Sequence, residues 1–410
     1  MTPNPIVVVG AGAAGILASL FAARAGRSVV LVERTKDGGR KILISGGGRC
    51  NILPSTVQPE RFVTASSPNS LRNILRSWPL DEQRVFFERE LGMGLVLEPE
   101  TGKRFPASNR ARDVRDRLLT RVREAGAAVR FDTTVEGVTA PDDAGGPWIV
   151  QLKGAPALEA SAVVLATGGL SVPSTGSDGI GLRIARELGH TTHPTYPALT
   201  PLTTDPPVHA DLAGISLTVS IRAPGTTPRM ETRGGFLFTH RGYSGPAVLD
   251  ISHLATRAAS EARQPLLVQW TDRDRAAWDA ALQSGRKRVS SVVTEAMPTR
   301  LADRLLAEAE IGADTTVAHL GRTARKRLVT LLVEYPLPWT GNEGFKKAEV
   351  TGGGVALGEI DPRTMESRRQ PGLYLCGEIL DAFGPIGGHN FLWAWVTGRA
   401  AGQAAGSTAS

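Results

Sequence analysis

Cysteine is nearly missing from this chain: 410 residues hold two, Cys50 and Cys376. Two cysteines give no disulfide framework and point to a reducing, cytoplasmic setting. Long apolar runs are missing as well. Arg24 and Arg27 break into the first helical stretch, so no segment reaches the roughly 20 apolar residues of a membrane span. No basic region precedes the apolar start of the chain, so a secretory signal peptide is not expected. The residue pattern yields no metal-ligand set. Charge of one sign is only in modest excess: 47 Lys and Arg against 40 Asp and Glu, a net charge of +7. That favours anionic partners, although a high Arg content alone is equally compatible with an ordinary solvated surface. An apolar content of 41% is adequate for globular folding, and the length suits two or three domains.

What is present is concentrated at the N-terminus. Ile6-Val7-Val8-Val9 is an unbroken β-branched run, the pattern of a buried parallel strand. Gly10-Ala11-Gly12-Ala13-Ala14-Gly15 follows at once. A helix is expected over 16–25 with Gly26 as its stop, then a second strand over 28–32 that ends at Glu33. Strand, glycine turn, helix, strand and acid together describe a dinucleotide-binding unit. Gly10 permits the tight turn, Gly12 leaves room for a pyrophosphate, and Gly15 lets the helix pack closely on the sheet. The helix N-terminus offers free N–H groups and a positive dipole end to the phosphates. Glu33, 23 residues after Gly10, suits the hydrogen bonds of a ribose 2′-OH and disfavours a 2′-phosphate.

Further along, Ser45-Gly46-Gly47-Gly48-Arg49-Cys50-Asn51 reads as a loop whose backbone lies against a ligand, with Lys41 and Arg49 placed to neutralise a phosphate or a reduced flavin. Helices are expected over 69–92 and 110–125, and strands over 95–105, 129–138 and 148–152, the last two in a small crossover sheet. Residues 160–165 form another buried parallel strand, ending in Ala166-Thr167-Gly168-Gly169; Asp178 then caps a helix to about 188. Pro and Thr become frequent from His190, with short strands over 217–222 and 235–238, then Thr239-His240-Arg241-Gly242-Tyr243-Ser244-Gly245-Pro246 and a short helix. Residues 272–333 read as helical and carry Arg286-Lys287-Arg288 and Arg325-Lys326-Arg327, either solvated helix faces or a nucleic-acid surface. Glycine-rich sheet returns at 349–355. A last strand ends in Cys376-Gly377-Glu378, and Asp381 with 384–390 leads into a closing helix over 391–401. The expected fold class is α/β: a Rossmann-like, doubly wound parallel sheet built from 1–190 and 342–410, with a β-rich insert over 191–255 and a basic helical insert over 256–341.

These motifs, spread over nearly the whole chain, resemble those of the BaiN/RdsA-type flavoproteins within the glutathione-reductase-like superfamily. The Ser-Gly-Gly-Gly-Arg-Cys-Asn loop is the most specific of them. By that resemblance the dinucleotide is FAD. Its ADP half is implied against Gly10, Gly12, Ala13, Ala14, Gly15, Glu33 and Arg34. Lys41, Ser45, Gly46, Gly47, Gly48, Asn51, Val135, Thr167, Gly168 and Gly169 complete the cradle on one side. Gly377, Glu378, Asp381, Gly387, Gly388, His389 and Asn390 are implied around the ribityl and isoalloxazine half. The chain departs from the family where Gly387-Gly388-His389-Asn390-Phe391-Leu392 stands in place of the common Gly-Gly-Tyr-Asn-Leu-Gln. A second complete nucleotide fingerprint is missing, so NAD(P)H would act as a transient reductant at the flavin.

The resemblance implies reduction of an activated carbon–carbon double bond, in uridine of large-subunit ribosomal RNA or in a steroid-like enone. Reduced flavin would deliver a hydride from N5 and an acid a proton. Cys50 leads as that acid, its plain alternative being a buried packing residue. His240, Tyr243 and His389 stand behind it, and Arg49 would stabilise the enolate. Three functions follow: a dihydrouridine synthase with ribosomal RNA as partner, a small-molecule ene-reductase, and a non-catalytic flavin-binding redox sensor.

Overall fold

The structure, a computed structural model, describes residues 4–143, 145–227, 229–257 and 264–407. The chain divides into two compact units, one of 1–197 with 349–410 and one of 198–348.

The first unit is organised by a five-stranded sheet in the spatial order Leu373–Leu375, Ala162–Leu165, Ile6–Val9, Val29–Val32, Ala128–Arg130. Every pair is parallel, with Ile6 opposite both Ala162 and Val29. Numbered along the chain, the strands lie 3-2-1-4-5, the arrangement of a doubly wound dinucleotide fold. The four residues of the first, second and fourth strands are all buried, which is why these strands carry no polar alternation. The switch point lies between the first and fourth strands, where both connections leave at the carboxyl edge. A small antiparallel sheet of Val135–Thr139, Trp148–Leu152 and Ala155–Ala160 makes the crossover between the third and fourth strands; the stretch expected as one strand over 129–138 is split, and Ala128–Arg130 joins the parallel sheet instead.

Two helices are packed on each other almost at backbone contact: Ala13–Arg24, after the first strand, and the closing His389–Ser407. Gly398, Gly402 and Gly406 face the first helix at four-residue intervals. A Cβ on Gly398 would lie 2.3 Å from Ala14 O, and one on Gly402 would lie 2.3 Å from Ala18 O. The first helix meets them with Ala14, Ala18 and Ala22, so small residues on both sides permit the approach. The closing helix runs longer than the 391–401 expected, because its apolar and small residues stay buried as far as Gly406. The stretch expected to be helical over 69–92 is broken into Pro68–Arg76, Leu80–Val85 and a wider turn of helix, Phe86–Glu90. Pro79 supplies the break.

The second unit has a seven-stranded sheet in the order Tyr335–Pro336, Leu267–Gln269, Ser216–Ala223, Met230–Thr239, Gly242–Ser244, Leu202–Thr203, Gly341–Asn342, antiparallel throughout. Strands from 202–244 and from 267–342 share this sheet. One apolar core serves it and the helices Pro246–Arg257, Arg275–Ala281, Val289–Thr294, Thr299–Glu308 and Arg322–Val333, with Phe236, Trp270, Leu301 and Leu328 among its members.

The close helix pair makes a stability prediction. Gly402→Ala places a methyl group against the Ala18 carbonyl and should cost about 1–3 kcal/mol, the range for overpacking, despite the better helix propensity of Ala. Gly358→Ala, which meets nothing within 4 Å, serves as the control. Thermal unfolding midpoints of the two variants check it; equal midpoints would refute the packing account.

Candidate functional site

A cavity of about 450 Å³ opens at the carboxyl edge of the parallel sheet. Its floor is the glycine turn. Gly10 has φ +101, and a Cβ there would lie 2.6 Å from Ala166 O, so the turn requires glycine. Gly12 has extended backbone that any residue adopts, and a Cβ on it would meet nothing within 4 Å. Gly12 therefore faces open cavity at the start of the Ala13–Arg24 helix. No side chain caps that helix end and no acid stands in its first turn, which leaves its N–H groups for an anionic ligand. Gly15 acts behind the cavity wall: a Cβ there would sit 1.9 Å from Gly10 O.

Glu33 closes the second strand and is clasped on both oxygens. Oε2 accepts from Ala11 N at 2.8 Å, and Oε1 accepts from Thr35 N at 2.9 Å and Thr35 Oγ1 at 2.7 Å. A carboxylate has about four lone-pair directions, so Oε2 keeps capacity for a ribose hydroxyl. Further in, Lys41 Nζ donates to Glu378 Oε2 at 2.6 Å and to Ser171 Oγ at 2.5 Å. Ser171 Oγ donates to Glu378 Oε1 at 2.6 Å, and Thr351 N donates to the same oxygen at 3.0 Å. Lys41 is thus bound to a carboxylate rather than free to neutralise a phosphate. Asn51 brings the buried Oδ1 of a cavity-lining side chain, with no hydrogen-bond partner. A buried acceptor left unmet is costly, so a donor from a bound group is the expected partner.

Of the residues expected around a cofactor, Gly10, Gly12, Ala13, Ala14, Glu33, Arg34, Lys41, Ser45, Gly46, Gly47, Asn51, Val135, Thr167, Gly168, Gly377, Glu378, Gly387, Gly388 and Asn390 line this one cavity. Gly15, Gly48, Gly169, Asp381 and His389 do not. Gly169 is needed for packing, because a Cβ there would lie 2.4 Å from Thr351 Oγ1. Asp381 is buried and its Oδ2 pins the 64–66 turn, accepting from Thr64 Oγ1, Ala65 N, Ser66 N and Ser66 Oγ at 2.8–2.9 Å. His389 is buried too, and that burial pushes its imidazole down to about 4, so it is neutral and a poor acid.

The structure places Cys50 and Arg49 away from the cavity lining. Cys50 is wholly buried in the core, outside the cavity lining, and burial pushes its thiol up to about 12 against a weaker opposing hydrogen bond with Ser45. A buried thiol with no opening to the cavity has no route by which to pass a proton to a substrate. Arg49 turns to protein partners: its guanidinium stacks 4.0 Å from the Phe105 ring centroid and pairs with Glu98 at 3.3 Å. Tyr243 is fully buried, with its hydroxyl 2.8 Å from His209 Nδ1, and burial raises its phenol. His240 lies in the second unit, exposed at the turn between Met230–Thr239 and Gly242–Ser244, and is not among the cavity-lining residues.

Sequence reasoning missed several lining residues: Lys103, Thr133, Thr134, and Thr175 to Asp178. It also missed the bracing by Ser171 and Thr351. The Thr351 segment had been visible as a glycine-rich strand, but its hydroxyl in fact receives Leu170 N and Ser171 N, at 2.8 and 3.1 Å.

Fold and cavity define a Rossmann-type dinucleotide-binding protein, of the class of FAD-dependent oxidoreductases. The chain belongs to the family described as HI0933-like protein Rossmann domain, whose model matches residues 4–404. It is 33% identical over 400 residues to a ribosomal RNA dihydrouridine synthase of Escherichia coli, covering 97% of this chain and 96% of that one. It is 31% identical over 412 residues to a 3-dehydro-bile acid delta(4,6)-reductase of Clostridium scindens, covering 98% and 99%. Among solved structures, the 3-ketosteroid-delta4-(5alpha)-dehydrogenase of Rhodococcus jostii shares the fold with a TM-score of 0.52 at 15% identity, with complete coverage of both chains. Among the described residues no helix is long and apolar enough to cross a membrane.

Two variants separate the residues that face the cavity from those that only support it. Gly12→Val should fold, since its backbone is unstrained and its side chain meets open space, yet purify without flavin absorbance. Full flavin occupancy would refute the placement of the pyrophosphate. Cys50→Ala should keep both flavin and turnover and lose about 1 kcal/mol of stability through the small void it leaves. Loss of turnover with flavin retained would return the thiol to the chemistry.

Proposed function

We propose that this protein reduces an activated carbon–carbon double bond with NAD(P)H as reductant, and that its substrate is uridine in large-subunit ribosomal RNA, converted to dihydrouridine in the cytoplasm. The observation that carries the reading is the near-full-length similarity to a ribosomal RNA dihydrouridine synthase, in a chain whose cavity fits FAD. That fit rests on the open face of Gly12, the clasped Glu33 and the unmet Asn51 Oδ1.

Bound FAD, once reduced by NAD(P)H, would supply a hydride for the electrophilic carbon of the double bond. The chain's own groups do the rest. N–H groups at the start of the Ala13–Arg24 helix would hold the pyrophosphate, and Glu33 would take a ribose hydroxyl. Glu378, oriented by Lys41, Ser171 and Thr351 N, would hydrogen-bond the polyhydroxyl linker. Lys103 lines the cavity and has no ion-pair partner among the described residues. Its ammonium is suited to stabilising negative charge on the carbonyl conjugated to the double bond.

RNA would be positioned by charge, and here pairing thins the basic clusters of the second unit. Lys287 pairs with Glu295 at 2.7 Å, Arg288 with Asp314 at 3.1 Å, Arg325 with Asp279 at 3.6 Å and Arg327 with Glu310 at 2.7 Å. Arg286, Arg322 and Lys326 carry no ion pair among the described residues. They are the cations assigned to phosphate, positioning the RNA without reading bases. The second reading, reduction of a steroid-like enone, is favoured by the similarity to the bile acid reductase and by the four paired cations.

Nucleoside mass spectrometry of ribosomal RNA from a deletion strain tests the proposal. One dihydrouridine should disappear and return with the wild-type gene. An unchanged dihydrouridine content, with NAD(P)H-dependent reduction of an enone by the purified protein, would overturn the RNA reading in favour of the second.

A further inference from the structure

Arg34 follows Glu33 directly and lines the cavity beside it. In dinucleotide folds an arginine near the ribose acid is the group that accommodates a 2′-phosphate. Here the guanidinium is already engaged: Nη1 of Arg34 is bound to Oδ2 of Asp178, which comes from a segment 144 residues away. Arg40, another cavity cation near this corner, is similarly taken by Asp37, at 2.8 Å.

Asp178 is fixed from its other side. Its Oδ1 accepts from Ile180 N at 3.1 Å, at the start of the Ile180–Glu187 helix. The segment that carries it lies against the ribose corner. A Cβ on Gly176 would sit 3.2 Å from Thr35 Cγ2, 3.6 Å from Glu33 Oε1 and 3.7 Å from Arg34 Cγ. Arg40 Nη1 also reaches Ser174 O at 3.3 Å. At the head of the segment Val172 has φ +48 and ψ 67, a left-handed conformation that is costly for a β-branched residue. Gly176 and Gly179 also have positive φ. A segment in that conformation is held by its surroundings, and its tie to Arg34 is one of the bonds that hold it.

We propose that Asp178 is a specificity-determining residue of the ribose corner. By pairing with Arg34 it weakens the hold that this cation would have on a 2′-phosphate, and with Glu33 it leaves two carboxylates at the ribose corner, so that a 2′-phosphorylated dinucleotide is disfavoured. The proposal rests on the cavity being a FAD site and adds what that site excludes. It makes the acid after the fourth strand, and not Glu33 alone, the discriminating group. Neutralising it frees an arginine whose planar fork suits phosphate.

The test uses the full-length chain freed of flavin, titrated calorimetrically with adenosine 5′-monophosphate and with adenosine 2′,5′-bisphosphate. Rebinding of FAD, followed by quenching of flavin fluorescence, verifies that each protein is folded. Wild type should prefer the monophosphate. Asp178→Asn, which keeps an oxygen for Ile180 N, should shift the ratio of affinities by about tenfold toward the bisphosphate. Asp178→Ser, measured beside it, should do the same. Adding Arg34→Ala to either variant should abolish the gain. An unchanged ratio in a variant that rebinds FAD overturns the proposal, as does a gain that survives Arg34→Ala. A wild-type chain that rebinds neither FAD nor the monophosphate overturns the cavity reading itself.

Discussion

The close approach of three backbones at the end of the first strand is the constraint on which the first unit depends. Gly10 lies against the carbonyl of Ala166, Gly15 lies against the carbonyl of Gly10, and Gly398 of the closing helix lies against the carbonyl of Ala14. Each approach needs a missing Cβ, and together they bring the fourth strand, the first helix and the last helix to one point. The helix is aimed there so that its uncapped end opens on the cavity. A side chain at Gly10 or Gly15 would force the helix off the sheet and move its N–H groups from the place a phosphate would occupy. Gly12 differs in kind: its missing side chain leaves space for a ligand instead of for protein.

Around that floor the polar groups are braced in pairs. Glu33 and Glu378 sit at the ends of the second and last strands of the parallel sheet, and neither is left to itself. Glu33 is held by backbone N–H groups from the glycine turn and from Thr35; Glu378 is held by Lys41, Ser171 and Thr351 N. A carboxylate removed from water needs such partners, and each set also fixes the direction in which the remaining lone pairs point. Orientation here is therefore a by-product of desolvation: the bonds that make burial tolerable are those that aim the acids into the cavity. Asn51 is the exception, with a buried oxygen that the protein does not satisfy.

Cations behave differently in the two units. In the first, Arg34, Arg40 and Lys41 all reach the cavity wall and all are matched by acids or hydroxyls, whereas Lys103 has no ion pair among the described residues and interacts with Glu98 at longer range. In the second, two residues of each basic triplet are matched by an acid. Exposed pairs of this kind are worth roughly 0–1 kcal/mol and compete weakly with a polyanion. Pairing thus lowers the local field without closing the surface to phosphate.

The dinucleotide unit was legible in the sequence because its parts are consecutive. A buried β-branched strand, a glycine turn, a helix, a second strand and its terminal acid fall within residues 6–33, and short-range sterics and hydrogen bonding determine each of them. The other two strand ends, at Ala166 and Gly377, were legible for the same reason. What local pattern did not determine was where side chains go once distant segments meet. Cys50 looked reactive beside its glycines, but it lies buried in the core of the first unit. Arg49 looked free until Glu98 and Phe105 folded against it. Lys41 finds Glu378 across 337 residues and Arg34 finds Asp178 across 144. Periodicity and turn chemistry act over a few residues, whereas burial and charge pairing are set by which segments the chain brings into contact. The sequence by itself determined the cradle; the tertiary structure decided which of its charged and nucleophilic groups remain free to act.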